Sequence, residues 1–181
     1  MTLPSIRRVI TGVDDRGQSR VSRSAELSNV FELEAVPGTW FHEVWETDQS
    51  PARINNQQSE GPDGTQLAPP KAGTRIRFVD IPPDKDSLGS SAAKDSFAQL
   101  GDAAFGTSDA DSPHPLMHKT ETIDYGVVIS GTITLVLDTE ETELNAGDVV
   151  IQRGTNHAWS NRGSLPCRML FVLIDGQYES S

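Results

Sequence analysis

The chain has 181 residues, 35% of them hydrophobic, which is enough for a single domain with polar segments left over. Acidic side chains outnumber basic ones by 26 to 15, for a formal charge of -11, so neither nucleic acid nor an anionic membrane surface is an expected partner. No apolar run approaches the roughly 18 residues of a membrane span, Met1–Arg8 lacks the build of a signal peptide, and the lone Cys167 excludes an internal disulfide framework; a reducing, cytoplasmic setting is the expectation.

In chain order, Ile6–Ile10 is a β-prone run, Asp14-Asp15-Arg16-Gly17 carries turn chemistry, and Ser19–Ser22 continues extended, which predicts a hairpin. Thr39–Thr47 (TWFHEVWET) follows the Pro37-Gly38 turn pair and is rich in aromatic and β-branched residues, so it reads as a strand. Its aromatic strip, Trp40, Phe41 and Trp45, suits core packing or a subunit contact, and His42 is expected to face solvent or a partner. Arg53–Lys71 holds Asn, Gln, Gly and Pro with almost nothing to bury and reads as a mobile surface loop. Gly73 opens a strand, Thr74–Ile81, which Pro82-Pro83 stops. In the polar stretch Asp84–Ser112, the spacing of Phe97, Leu100, Ala104 and Phe105 predicts one short helix over Asp95–Phe105, with Gly101 in its middle as a weakness.

From His114 onward the texture changes. Asp124–Ser130, Thr132–Asp138, Glu141–Leu144, Asp148–Gln152, His157–Asn161 and Arg168–Asp175 are short strand-like runs separated by Gly131, Asn145-Ala146-Gly147, Gly154 and Arg162-Gly163. Strands at intervals of about 8–12 residues with glycine turns mark an all-β sandwich or barrel, and runs such as MLFVLI, apolar on both faces, need cover on both sides. Three segments follow: 1–83, a hairpin and strand extension packing on the barrel; 84–112, a loop with the short helix; and 113–181, the β-rich core.

Only four histidines occur: His42, His114, His118 and His157. In an extended strand, residues of equal parity point the same way, so His118 and Thr120 share a face. If the chain turns back after Thr122, Asp124 faces the same interior from a neighbouring strand. Gly147 and Gly154 bracket a further strand, and the turn after Gly154 delivers His157 into the next. Two imidazoles and a carboxylate on adjacent strands make a 2-His-1-carboxylate set, which leaves coordination positions open and suits Fe(II) among other ions. The plainer reading of each histidine is a turn held by ring-nitrogen hydrogen bonds. Asp148 reads as a turn acid and Cys167 as buried filler.

These residues resemble the two motifs of the cupin superfamily. His118 falls on the first histidine of the first motif, Asp124 on its glutamate position and Gly131 on its closing glycine. Gly147, Gly154, His157 and Asn161 fall on the second motif. Thr120 stands where a second histidine is expected, Asp124 replaces Glu, and Gln152-Arg153-Gly154 replaces Pro-x-Gly. The phrases around Met117–Val128 and Gln152–Trp159 look like a narrower branch, single-barrel cupins of secondary-metabolite or aromatic pathways, described as oxidoreductases.

The resemblance implies a single cupin β-barrel with an N-terminal strand extension and one short helix. It implies one divalent metal ion, Fe(II) ahead of Zn, Mn or Ni, on His118, Asp124 and His157, with His114 and Glu121 as further candidate ligands. Glu121 and Asp124 are the candidate proton carriers, and Tyr125, Arg153 and Trp159 the candidate substrate contacts; an exposed turn arginine and plain barrel packing are the plainer readings of the last two. The expected function is a metal-dependent oxidoreductase or dioxygenase acting on a small oxygenated, aromatic or polyketide-like molecule. A decarboxylase or dehydratase and a non-catalytic binding module are the alternatives. A homodimer is expected.

Overall fold

The computed structural model describes residues 3–56, 61–88 and 92–179. Positions 57–60 of the expected loop, 89–91 of the second polar stretch, and the first two and last two residues lie outside them. The chain opens with the hairpin β1 (Arg7–Val13) and β2 (Ser19–Glu26), longer than expected but closed at the expected turn, where Gly17 N donates to Asp14 O. A short β3 (Val30–Glu32), which no sequence pattern announced, leads to β4 (Trp40–Thr47) and β5 (Thr74–Ile81). After α1 (Asp84–Ser87) and α2 (Ala92–Gln99) come β6 (Thr122–Ser130), β7 (Thr132–Leu137), β8 (Glu141–Asn145), β9 (Val149–Arg153), β10 (His157–Ser160) and β11 (Cys167–Asp175).

The barrel strands form two sheets. One has six strands in the order β3-β4-β5-β11-β6-β9, and the other three in the order β10-β7-β8. β4 and β5 are therefore staves of the barrel, because β5 pairs with β11 along its whole length, from Ile81 opposite Cys167 to Thr74 opposite Ile174. β11 lies inside the larger sheet, which explains why its sequence is apolar at both parities. Met169, Phe171 and Leu173 fill the core, while Leu170 and Val172 on the other face are half-buried. Val128, Ile133, Leu135 and Leu144 meet them from β6, β7 and β8.

Two expectations are corrected here. The helix begins at Ala92 and ends at Gln99, since Gly101 takes φ +109, a conformation that stops a helix and suits glycine alone; a separate 3-10 turn, Ala103–Phe105, follows. The second concerns Arg53–Lys71, which has no strand or helix among its described residues but is not merely surface. Leu67 is buried, its N–H donates to Leu100 O at 2.8 Å, and Gln66 O accepts from Arg75 and Arg77.

His42 is also corrected. It is buried, with Nε2 2.9 Å from Asp80, whose carboxylate takes two further bonds from Arg168 at 2.5 and 2.7 Å. At Gly73 two backbones approach closely, since a Cβ there would lie 2.0 Å from Thr47 O. Gly73→Ala is expected to cost about 1–3 kcal/mol, because the obstacle is main chain and cannot rotate away. Thermal unfolding checks this, and an unchanged melting temperature would refute the contact.

Candidate active site

Between the two sheets lies a cavity of about 130 Å³. That is close to the ~150 Å³ of an apolar cavity known to take up benzene, so one ring fits. Its walls are apolar, with Leu33, Val36, Leu67, Leu88 and Leu100 toward the segments around α1 and α2, and Val79, Phe171 and Leu173 on the strands. Its polar members include His118, His157, Asp124, Arg77 and Asp84.

The histidines are brought together by main chain. His118 and His157 form an isolated antiparallel bridge, with His118 N donating to His157 O at 2.8 Å and His157 N to His118 O at 3.0 Å. Directly paired residues carry their side chains on the same face, and the ring centroids lie 4.2 Å apart with planes tilted by 47°. Each Nδ1 meets a main-chain carbonyl, Leu116 O at 3.0 Å and Thr155 O at 2.9 Å. A carbonyl only accepts, so both Nδ1 atoms carry the proton and both Nε2 atoms keep a lone pair. Burial lowers the pKa of both rings, and for His157 burial and the neighbouring His118 bring it to about 3. The pair is neutral at ordinary pH. Phe97, His118, His157, Trp159 and Phe171 continue as a ladder of rings, with successive centroids 5.2, 4.2, 5.6 and 5.4 Å apart.

A second polar group comes from the larger sheet. Arg77 on β5 is 2% exposed, pairs with Glu43 on β4 at 3.1 Å, and lies 5.4 Å from the Phe41 ring centroid. Thr65 Oγ1 donates to Glu43 Oε1 at 2.6 Å. Burial pulls Arg77 down to about 10 against the attraction of Glu43, so it remains a cation. Asp124, on the inward face of β6, is raised to about 6 by burial, with Thr122 and Arg77 working the other way.

Of the expected site residues, His118, His157, Asp124 and Trp159 line this cavity. The rest do not. Thr122 and Asp124 point inward, so parity turns Tyr125 outward, where it is 44% exposed. Arg153 is likewise exposed on β9, opposite the inward Gln152, and Glu121 is exposed just before β6 begins. His114 is buried away from the cavity lining, its Nε2 3.5 Å from Asp84. Asn161, 1% exposed, holds the main chain together through Ile81 O and Leu165 O.

A metal centre of the expected kind needs three side chains within reach of one ion. Among the described residues no group of three or more His, Cys, Asp and Glu side chains is so gathered. Thr120, at the remaining motif position, has its hydroxyl 2.7 Å from that of Thr122. The site thus presents two imidazole nitrogens and no third protein ligand beside them, and the expected set does not fit a three-ligand ion.

Arg77, Glu43 and Phe97 were missed in the sequence. The available signal was Arg75 and Arg77 at the parity of Val79 on a strand whose other parity, Ile76 and Phe78, is also apolar. That pattern does not say which face is inside.

Residues 106–173 match the family model of the cupin domain. Over 178 residues the chain is 35% identical to phomopsin biosynthesis cluster protein C' of Diaporthe leptostromiformis, covering 94% of this chain and 78% of that one. Over 179 residues it is 32% identical to the cupin-domain-containing oxidoreductase fogC of Aspergillus ruber, covering 96% and 74%. A putative ethanolamine utilization protein Q of Salmonella typhimurium aligns with TM-score 0.45 at 10% identity, over 96% of this chain and 99% of that one. With its two-sheet barrel, both motif histidines on one cavity wall and relatives of this kind along nearly its whole length, the chain belongs to the cupin family.

Proposed function

We propose that the protein is an enzyme that holds a small, planar, hydroxylated organic molecule in the barrel cavity, within the oxidoreductase class for which several relatives are named. One observation carries this reading: two neutral imidazoles, each with an uncommitted Nε2, set in a ladder of rings. Two adjacent acceptors match a hydroxyl donor, and the ring wall matches a flat apolar body. Asp124 supports proton transfer, since a carboxylate raised to about 6 lies nearer neutral pH than an ordinary one and so is better suited as a general base.

A second reading places a divalent ion on the two Nε2 atoms of this pair alone, without the carboxylate of the expected three-ligand set. What favours it is the tethering of both Nδ1 atoms to carbonyls, the arrangement that orients metal-bound imidazoles.

Titration of the tryptophan fluorescence with phenol and with toluene, its methyl counterpart, tests the first reading. Phenol is expected to bind about tenfold or more tighter, with the preference lost in His157→Phe, which keeps a ring and removes the acceptor. Equal binding of the two compounds would overturn it. A preference abolished by chelator and restored by Fe(II) or Zn would transfer the hydroxyl contact to an ion.

A further inference from the structure

The larger sheet is apolar on both faces. Its inner face borders the cavity, and its outer face runs in apolar rows across four strands. Ile151, Tyr125, Val172 and Ile76 stand side by side in one row, and Val149, Val127, Leu170 and Phe78 in the next. An antiparallel sheet with one face in water ordinarily alternates apolar with polar residues, so both faces of this one call for cover. At the end near Arg168 the chain supplies some, where Arg168 Nη1 donates to Pro4 O at 2.6 Å. Toward β6 and β9 the cover thins, and Ile123, Tyr125, Ile129, Val149 and Ile151 are each 41–59% exposed. These five open about 500 Å², and their partly exposed neighbours carry the patch toward the ~800 Å² that each partner gives to a standard interface.

A second apolar surface lies on the amino-terminal hairpin. β1 and β2 form a two-stranded sheet of their own, an arrangement that is marginally stable in water unless it packs on something. It is tied to its own chain by Arg8 Nη1, which donates to Val44 O at 2.8 Å, and by Asn56, which bonds the main chain of Val13. One of its faces shows Val9 and Val13 of β1 and Val21 of β2, which is paired with Thr11 between them; all three are 44–57% exposed. Charge separates the two surfaces. Residues 7–26 hold five of the 15 basic side chains and three of the 26 acidic ones, so the hairpin is net +2 while the rest of the chain carries -13. Arg7 shares the parity of Val9 and is exposed. The outer sheet face has exposed Glu121 just beyond Ile123 and exposed Asp148 just before Val149, against Arg153 at the end of β9.

We propose that the outer face of β6 and β9 is an interface between two copies of the chain, each laying its β1–β2 hairpin on the sheet of the other, with the valines on the apolar rows and Arg7 toward the acidic rim. A second copy fits because it carries a basic arm with an apolar face and has the same sheet face to cover. The exchange is reciprocal, so it closes at two chains and covers both open surfaces in each. It also gives Tyr125, which faces away from the cavity, a place at the centre of the contact, where tyrosine is a favoured residue.

The test uses the full-length chain and sedimentation velocity over a range of concentrations. Wild type is expected to sediment as two chains at about 0.1 mM. Two variants each break one side of the contact: Tyr125→Glu/Ile151→Glu puts charge on the sheet face, and Val9→Ser/Val21→Ser removes the apolar side of the arm. Each changes exposed positions and is expected to weaken pairing about tenfold or more. An equimolar mixture of the two variants is expected to form mixed pairs, because the intact arm of the first meets the intact face of the second, whereas neither variant by itself has an intact contact. Circular dichroism checks that each variant is folded; Ile151→Thr, β-branched like the residue it replaces, serves in place of the glutamate variant if that one is not. A wild type that stays a single chain at about 0.1 mM would overturn the proposal and leave the face to a partner of another kind. An arm variant that pairs as tightly as wild type would overturn it in favour of two sheets stacked face to face, and a mixture no more associated than its parts would rule out the exchange.

Discussion

Arg77→Ala is expected to lower stability by about 3–5 kcal/mol, because it strands Glu43 as an unpaired charge that is 0% exposed. The bond from Thr65 would then remain on the carboxylate, and the cation over the Phe41 ring would be lost as well. For a domain of this size that corresponds to a fall in melting temperature of about 6–20 °C. Glu43→Ala should cost a similar amount for the complementary reason. The double variant Glu43→Gln/Arg77→Met should cost much less than the sum, since removing both charges leaves no ion to desolvate. Chemical denaturation of the three variants checks this; additive losses would show that the two side chains are not coupled.

The second large effect is in pH. His157 is brought from 6.5 to about 3 in the folded state, so between these values the unfolded chain binds the extra proton and acid destabilises the fold, by on the order of 4–5 kcal/mol through this group alone. Asp124 works in the opposite direction. Its folded pKa of about 6 lies above the ordinary 3.8, so its ionised form penalises the fold fully above pH 6 and not at all below 3.8. The size of that penalty is on the order of 3 kcal/mol. Across the overlap, from 6 down to 3.8, the two largely cancel in the wild type, with His118 adding to the acid side.

Single variants should expose the cancellation. Asp124→Asn is expected to be more stable than wild type at pH 7–8, with the gain vanishing as pH falls to 3.8. His157→Gln is expected to gain relative to wild type as pH falls through the same window. Urea denaturation from pH 4 to 8 reads both. Parallel curves for wild type and both variants would mean that neither group is buried as described.

The carboxyl-terminal half was legible because its signals are local. Glycine turns at Gly131, Gly147 and Gly154 all take positive φ, and each of β6 to β11 begins and ends within a residue or two of where the hydrophobic runs placed it. The motif spacing placed His118 and His157 on facing segments, and the parity of Trp159 with His157 holds, since both line the cavity. Legibility ended where a residue's role depends on contacts far along the chain. Tyr125 and Arg153 were misplaced because the strands that carry them are apolar at both parities, and only pairing shows which parity is inside. Gln66 and Leu67 come from a polar stretch with no periodicity, yet the carbonyl of Gln66 holds two arginines and Leu67 closes the cavity wall.

By itself, then, the order of residues determined the barrel class, its turns and the two histidines, because turn chemistry and alternation act over a few neighbouring positions. Which ionisable groups share the interior was decided only by the tertiary structure. Glu43, Arg77 and Asp124 enter one sheet from β4, β5 and β6, at positions 34 and 47 residues apart in the chain, counted from one to the next. The burial that pairs the first two, leaves their outer atoms unmet and shifts the third exists nowhere before the sheets close.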